Sequence, residues 1–156
     1  MNTWRFWSLC VLIAVMLVGG GFYLGRGTPE AQLRATTQAN LMEGWALLHQ
    51  ANQSLTEHPA AAQVWGNEGI AYIQAAEQGL DDLGVYRTGN FDLYALVSQA
   101  EYDVLNHTAT LRDRQVLTVF HRALAPFRSV GFGDIPDAEL HAALARCDAA
   151  LGPGPG

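Results

Sequence analysis

The sequence predicts an all-α protein: a single N-terminal transmembrane helix followed by an antiparallel helical bundle of four to five helices. Three observations predict it. Phe6–Leu24 is a run of 19 residues with no charge and no proline. Beyond it, apolar residues recur at intervals of three and four, and Pro, Gly and capping residues punctuate the segments. No stretch alternates apolar and polar at period two with β-branched residues, so a sheet has no support. The chain thus divides into an anchor (1–27), a helical bundle (28–151) and a Gly-Pro tail (152–156).

The leader has the length of a membrane span. At 1.5 Å per residue it reaches about 28 Å, against a hydrocarbon core of roughly 30 Å. Trp4 and Trp7 flank one end, Phe22 and Tyr23 the other, where amphipathic rings prefer the headgroup level. The competing reading is a cleaved signal peptide, with Arg5 as its charged start and Phe6–Val18 as its apolar stretch. No Ala-x-Ala site follows, and the apolar run continues past Gly19–Gly21, which favours an uncleaved anchor. From Arg26 onward the chain carries eight arginines against fifteen acids. The expected location is the inner membrane, single-pass, with the main domain on the extracytoplasmic, periplasmic side.

Composition excludes some function classes. Of the 156 residues, 49% are hydrophobic and 15% charged, where about 25% charged is usual. Net charge is −6, and all nine cations are Arg, so a phosphate backbone has no basic face to meet. The two cysteines, Cys10 and Cys147, cannot build a disulfide framework.

Thr28-Pro29-Glu30 starts the first bundle helix: a capping hydroxyl, Pro at the first helical position and an acid in the first turn. The spacing carries it to about Glu57. Leu41, Trp45, Leu48 and Leu55 make a narrow seam with Asn52 in the skipped slot, and two heptads are enough for packing inside one domain but short for an inter-chain coiled coil. Pro59 opens the second helix, expected to run to about Leu83, with Trp65, Gly69, Tyr72, Ile73, Ala76, Leu80 and Leu83 on one face. Gly66, Gly69 and Gly79 each weaken it by up to about 1 kcal/mol, which a close helix approach would explain. Gly84 is placed to end it, and Thr88-Gly89-Asn90 reads as a turn. Asp81-Asp82 reads as a solvated helix end, since adjacent helical residues diverge by about 100°.

The third segment starts near Phe91. Leu93, Val97, Ala100, Val104, His107 and Leu111 follow alternating spacings of four and three, with Asn106-His107-Thr108 as an interruption. Thr110-Leu111-Arg112-Asp113 then has the form of a capping box with Asp in place of Glu. The fourth helix carries Val116, Phe120, Ala123 and Phe127 on one face, and Pro126 weakens its last turn. Ser129–Pro136 leads into a last helix with Asp137 and Glu139 at its start and the stripe Leu140, Leu144, Cys147, Leu151.

Two short resemblances occur. Ser129-Val130-Gly131-Phe132-Gly133-Asp134 is similar to the selectivity filter of potassium channels. The segment before it contains His121 and Arg122 and nothing after it is apolar enough to span, so it reads as a Gly-bearing connector. Trp65, Gly69 and Tyr72 are spaced as in the first helix of tetratricopeptide repeats. No second copy follows, so a packed helical hairpin is the reading.

Catalytic motifs are not found. The sequence holds no His-Glu-x-x-His, Glu-x-x-His, Cys-x-x-Cys-His, Gly-x-Ser-x-Gly or phosphate-binding loop, so the expectation is a non-enzyme with no catalytic residue and no cofactor. Asp103/His107 and Asp137/His141 are Asp-x-x-x-His pairs. At that spacing the two side chains share a helix face, where a charge–hydrogen bond or an oxygen–nitrogen pair of metal ligands can form. Asp103 and His107 are the metal candidates because the spacing sets His107 on the apolar seam. Trp45, Trp65 and Tyr72 are the candidates for partner binding, chosen by packing position. Two functions compete. One is a non-catalytic interaction or scaffold subunit of a cell-envelope complex, with a protein partner or a second copy. The other is a metal- or ligand-binding four-helix sensor domain. Lipid around Phe6–Leu24 is expected as a partner and nucleic acid is not.

Overall fold

A computed structural model describes residues 28–85, 93–131 and 133–151. The expected span Phe6–Leu24, the Thr88–Asn90 turn and the Gly-Pro tail lie outside the described residues. Among those described, no helix is long and apolar enough to cross a membrane. The chain divides into two compact units between Gln32 and Leu33, and the architecture that follows is that of the second.

The described residues form five α-helices and no strand: α1 (Pro29–Ser54), α2 (Pro59–Asp82), α3 (Leu93–Leu105), α4 (Leu111–Leu124) and α5 (Asp137–Leu151). Thr28 caps α1, its hydroxyl accepting from the Ala31 amide at 3.2 Å. That helix stops at Ser54 rather than Glu57. Pro59 disfavours a helical conformation at His58, which sits at φ −135° and ψ 63°. The second helix closes as expected. Gly84 takes φ +64°, and the Val85 amide reaches back to the Leu80 carbonyl at 3.1 Å.

The end of α3 repeats that device with a different residue. The amide of Thr108 reaches the Asp103 carbonyl at 2.8 Å, and His107 occupies the left-handed turn at φ 59°. His107 is therefore exposed and off the seam on which its spacing placed it. The helix has already ended at Leu105, so the periodicity has no backbone to continue on. Thr110 and Asp113 make the expected reciprocal cap of α4. Pro126 shortens that helix to Leu124, and Ala125–Phe127 finish it as a 3-10 turn.

Small residues set the packing of α1 on α2. A side chain added at Gly69 would lie 2.7 Å from Leu48 Cδ2, and one at Gly44 would lie 2.9 Å from Ile73 Cδ1. At Gly79 it would collide with Thr37. These contacts pair 37 with 79, 44 with 73 and 48 with 69, so the two helices run antiparallel. The seam predicted on α1 packs within the chain itself, with Leu41 and Leu48 fully buried. Ile73, Leu80, Val97, Phe120 and Leu144 join them in one core, and Cys147 is a buried member of the α5 stripe. Asp81 and Asp82 are exposed at the end of α2, as a solvated terminus should be.

Candidate functional site

The C-terminal half of α1 borders a cleft of about 800 Å³. One wall is Asn52, Leu55, Thr56 and Pro59, where α1 turns into α2. A second is Val104, His107 and Ala109, where α3 turns into α4. The third is the face of α4 that repeats at three and four: Arg114, Leu117, Thr118 and His121. Five of these residues are apolar, and among the described residues no carboxylate lines the cleft.

His121 is a half-buried member of that wall. Both of its ring nitrogens are inaccessible and have no hydrogen-bond partner among the described residues. It sits edge-on to His49 at 5.2 Å and to Trp45 at 5.9 Å, while Trp45 and His49 stack at 5.6 Å with planes 7° apart. The Trp45 indole N–H donates to the His121 carbonyl at 3.1 Å, which ties α1 to α4. Burial first, and then the neighbouring His49, lower the His121 pKa from 6.5 to about 4. The imidazole therefore faces the cleft neutral at neutral pH.

Asn52 joins the cleft to a second buried group. Its amide nitrogen donates to the Leu48 carbonyl at 2.9 Å and to Glu101 Oε2 at 2.8 Å. Glu101 is fully buried, and its other carboxyl oxygen has no partner among the described residues. Room for it exists because residue 66 is glycine: a side chain there would lie 3.0 Å from Oε1 and 2.6 Å from Leu105 Cδ1. Burial raises the Glu101 pKa from 4.5 to about 7, with the Asn52 bond pulling the other way.

The predicted residues fare unevenly. Trp45 stands beside the cleft and packs on the core, half-buried. Trp65 and Tyr72 are half-buried on α2 and do not line the cleft. The shared helix face expected of Asp103 and His107 does not exist, since α3 ends between them. Asp103 instead accepts from Gln99 at 3.1 Å and from the Thr108 hydroxyl at 3.2 Å. His107 contributes to the cleft wall from its left-handed turn. Among the described residues no group of three or more His, Cys, Asp or Glu could hold a metal ion. The other Asp-His pair also parts: Asp137 binds Arg34 through both oxygens, at 2.9 to 3.1 Å, and His141 Nδ1 meets the Val85 carbonyl.

Sequence reasoning missed Glu101, His121, Arg114 and Gln38. A signal existed for three of them. Glu101 follows Val97 by four, His121 follows the core residue Leu117 by four, and Gln38 precedes Leu41 by three, so each is on or beside an apolar face. Arg114 has no comparable signal, because nothing local tells an exposed helical arginine beside a cleft from one beside water. No family model matches the chain, and no curated protein and no solved structure matches it.

Proposed function

We propose that the chain is a non-catalytic binding subunit of the cell envelope. Phe6–Leu24 holds it in the inner membrane, and the helical domain on the extracytoplasmic side takes a ligand in its cleft. The cleft carries this reading: about 800 Å³, walled by residues of four helices and their turns, it falls within the ordinary range for small-molecule sites. The polar groups beside it favour binding over chemistry. Thr118 gives its hydroxyl proton to the Arg114 carbonyl at 2.7 Å, and the His121 nitrogens have no partner among the described residues, so no hydroxyl is paired with a base there. Cys147 lies in the core with its thiol pushed up to about 11 by burial, far from the thiolate a nucleophile needs.

Native mass spectrometry of the full chain, extracted gently from its own membranes, tests the reading. A retained small molecule that disappears in Thr118→Trp, where an indole fills the cleft from an exposed helical position, supports it. A bare wild-type chain that also binds nothing from a panel of small apolar compounds overturns it. The anchor has its own test: the chain should stay in carbonate-washed membranes and leave them when residues 1–27 are removed.

An interaction scaffold is the second reading. Its support is Leu111, 89% exposed at the start of α4, and Val64, 62% exposed on α2. Single exposed apolar residues are ordinary, so this support is weaker than a formed cleft. Crosslinking in native membranes that captures one defined partner through Leu111 or Val64 would favour it.

A further inference from the structure

We infer that the cleft takes a small anionic amphiphile, a monocarboxylate with a medium-length apolar chain, its carboxylate on Arg114 and its chain against Leu55, Val104 and Leu117. This rests on the cleft being the binding site and adds what it binds.

Charge is the first ground. The chain has fifteen acids against nine arginines, so an arbitrary surface depression should meet carboxylates. Among the described residues none lines this one, and its one permanent charge is Arg114. The second ground is the state of that arginine. Among the described residues no carboxylate lies within ion-pair distance of it, whereas Arg34 is taken by Asp137 and Arg112 by the Leu151 carbonyl. Its acidic neighbour Asp113 is turned away into the α4 cap, accepting from the Thr110 amide and hydroxyl. An exposed guanidinium at the edge of an apolar cleft presents planar paired donors that a carboxylate matches with two hydrogen bonds.

The rest of the lining limits the ligand further. Leu55, Pro59, Val104, Ala109 and Leu117 supply a hydrocarbon surface, interrupted by Asn52, Thr56, His107 and Thr118, and an apolar chain matches the first set. His121 reaches the same cleft as a neutral ring and adds no second cation. Arg114 is the one permanent charge beside the His107 and His121 imidazoles, and one guanidinium matches the one carboxylate of a monoacid.

Octanoate is the probe, because it is soluble enough to be titrated against the full chain in lipid nanodiscs, with empty nanodiscs as the blank. Isothermal titration should show saturable octanoate binding. Acetate, which lacks the chain, and octylammonium, which reverses the charge, should bind about tenfold more weakly or worse. Arg114→Gln alters an exposed side chain on an intact helix and should cost octanoate about tenfold while leaving octan-1-ol unchanged. Thr118→Trp should abolish both. Equal affinities for octanoate and octan-1-ol, insensitive to Arg114→Gln, would overturn the inference and leave the cleft standing as an apolar site. No saturable binding by any of the four probes would overturn the inference and the binding reading together.

Discussion

The two ends of α1 bury polar side chains in opposite ways. Near its start, Gln38 is buried to 1% exposure, and its amide is used up. Its nitrogen donates to the Ile135 carbonyl at 2.8 Å, and its oxygen accepts from the Gly133 and Ile135 amides at 2.9 and 3.1 Å. That one side chain substitutes for a neighbouring strand and pins the connector between α4 and α5. Near the other end, among the described residues, Glu101 keeps an oxygen with no partner and His121 keeps two such nitrogens. A polar group that is buried and saturated is architecture, because removing it orphans its partners. A polar group that is buried and left with spare hydrogen-bonding capacity costs stability; here His121 lines the cleft, and Glu101 is tied to it through Asn52. On the proposed function, the difference separates the end of the bundle that holds the connector from the end that takes a ligand.

The largest expected effect breaks the saturated end. Gln38→Leu leaves the buried Ile135 amide and carbonyl and the part-buried Gly133 amide without this partner, and should cost about 4 kcal/mol in urea unfolding. A loss below about 1 kcal/mol would mean that water satisfies the connector and that the contrast between the two ends is false.

The unsaturated end is sharpened by pH. The Glu101 pKa is raised from 4.5 to about 7, so the folded state holds its proton where the unfolded chain has lost it. Its stabilising contribution is full below pH 4.5 and is lost as pH rises to 7, about 3 kcal/mol in all. Glu101→Gln keeps the Asn52 bond without the charge, and should unfold at higher urea than wild type at pH 8 with that advantage gone at pH 4.5. His121 runs the other way. Its pKa is lowered from 6.5 to about 4, so its contribution is full above 6.5 and is lost as pH falls to 4, about 2 kcal/mol for a partly exposed ring. The two slopes oppose each other between pH 4.5 and 6.5, and the wild-type profile there should be nearly flat. His121→Phe should expose the Glu101 slope, with stability falling as pH rises. Glu101→Gln should expose the His121 slope, with stability rising. Urea titrations across that window that give parallel profiles for wild type and both variants would show that neither group titrates as its burial requires.

The smallest effect belongs to the saturated end. Arg34 and Asp137 pair bidentately, yet their side chains are 30% and 37% exposed. Arg34→Ala should cost no more than about 1 kcal/mol by thermal unfolding, less at high salt. A cost like that of Gln38→Leu would assign the hold on the connector to charge instead of to hydrogen bonds.

Much of the bundle was legible because its signals are local. Pro59, Gly84 and the Thr110–Asp113 cap act within one turn of the residues they affect, and the stripe of α5 is buried residue for residue. The glycines of α2 announced a close approach because nothing else accounts for their cost in a helix. The site was far less legible. The seam of α3 ran on to His107 by arithmetic alone, while the helix ended two residues earlier and His107 itself takes the left-handed conformation that Gly84 takes after α2.

Helix positions, their caps and the side that each helix buries follow from spacing and backbone preference, which depend on residues three or four apart. The sign and state of the groups beside the cleft do not. Burial beside Gly66 and Leu105 raises the Glu101 pKa, burial and then His49, edge-on from α1, lower that of His121, and Arg114 lines the cleft with residues such as Leu55 that only the fold brings to it. Desolvation and unmet hydrogen bonds depend on neighbours 35 to 76 residues away, and only the folded bundle brings those together.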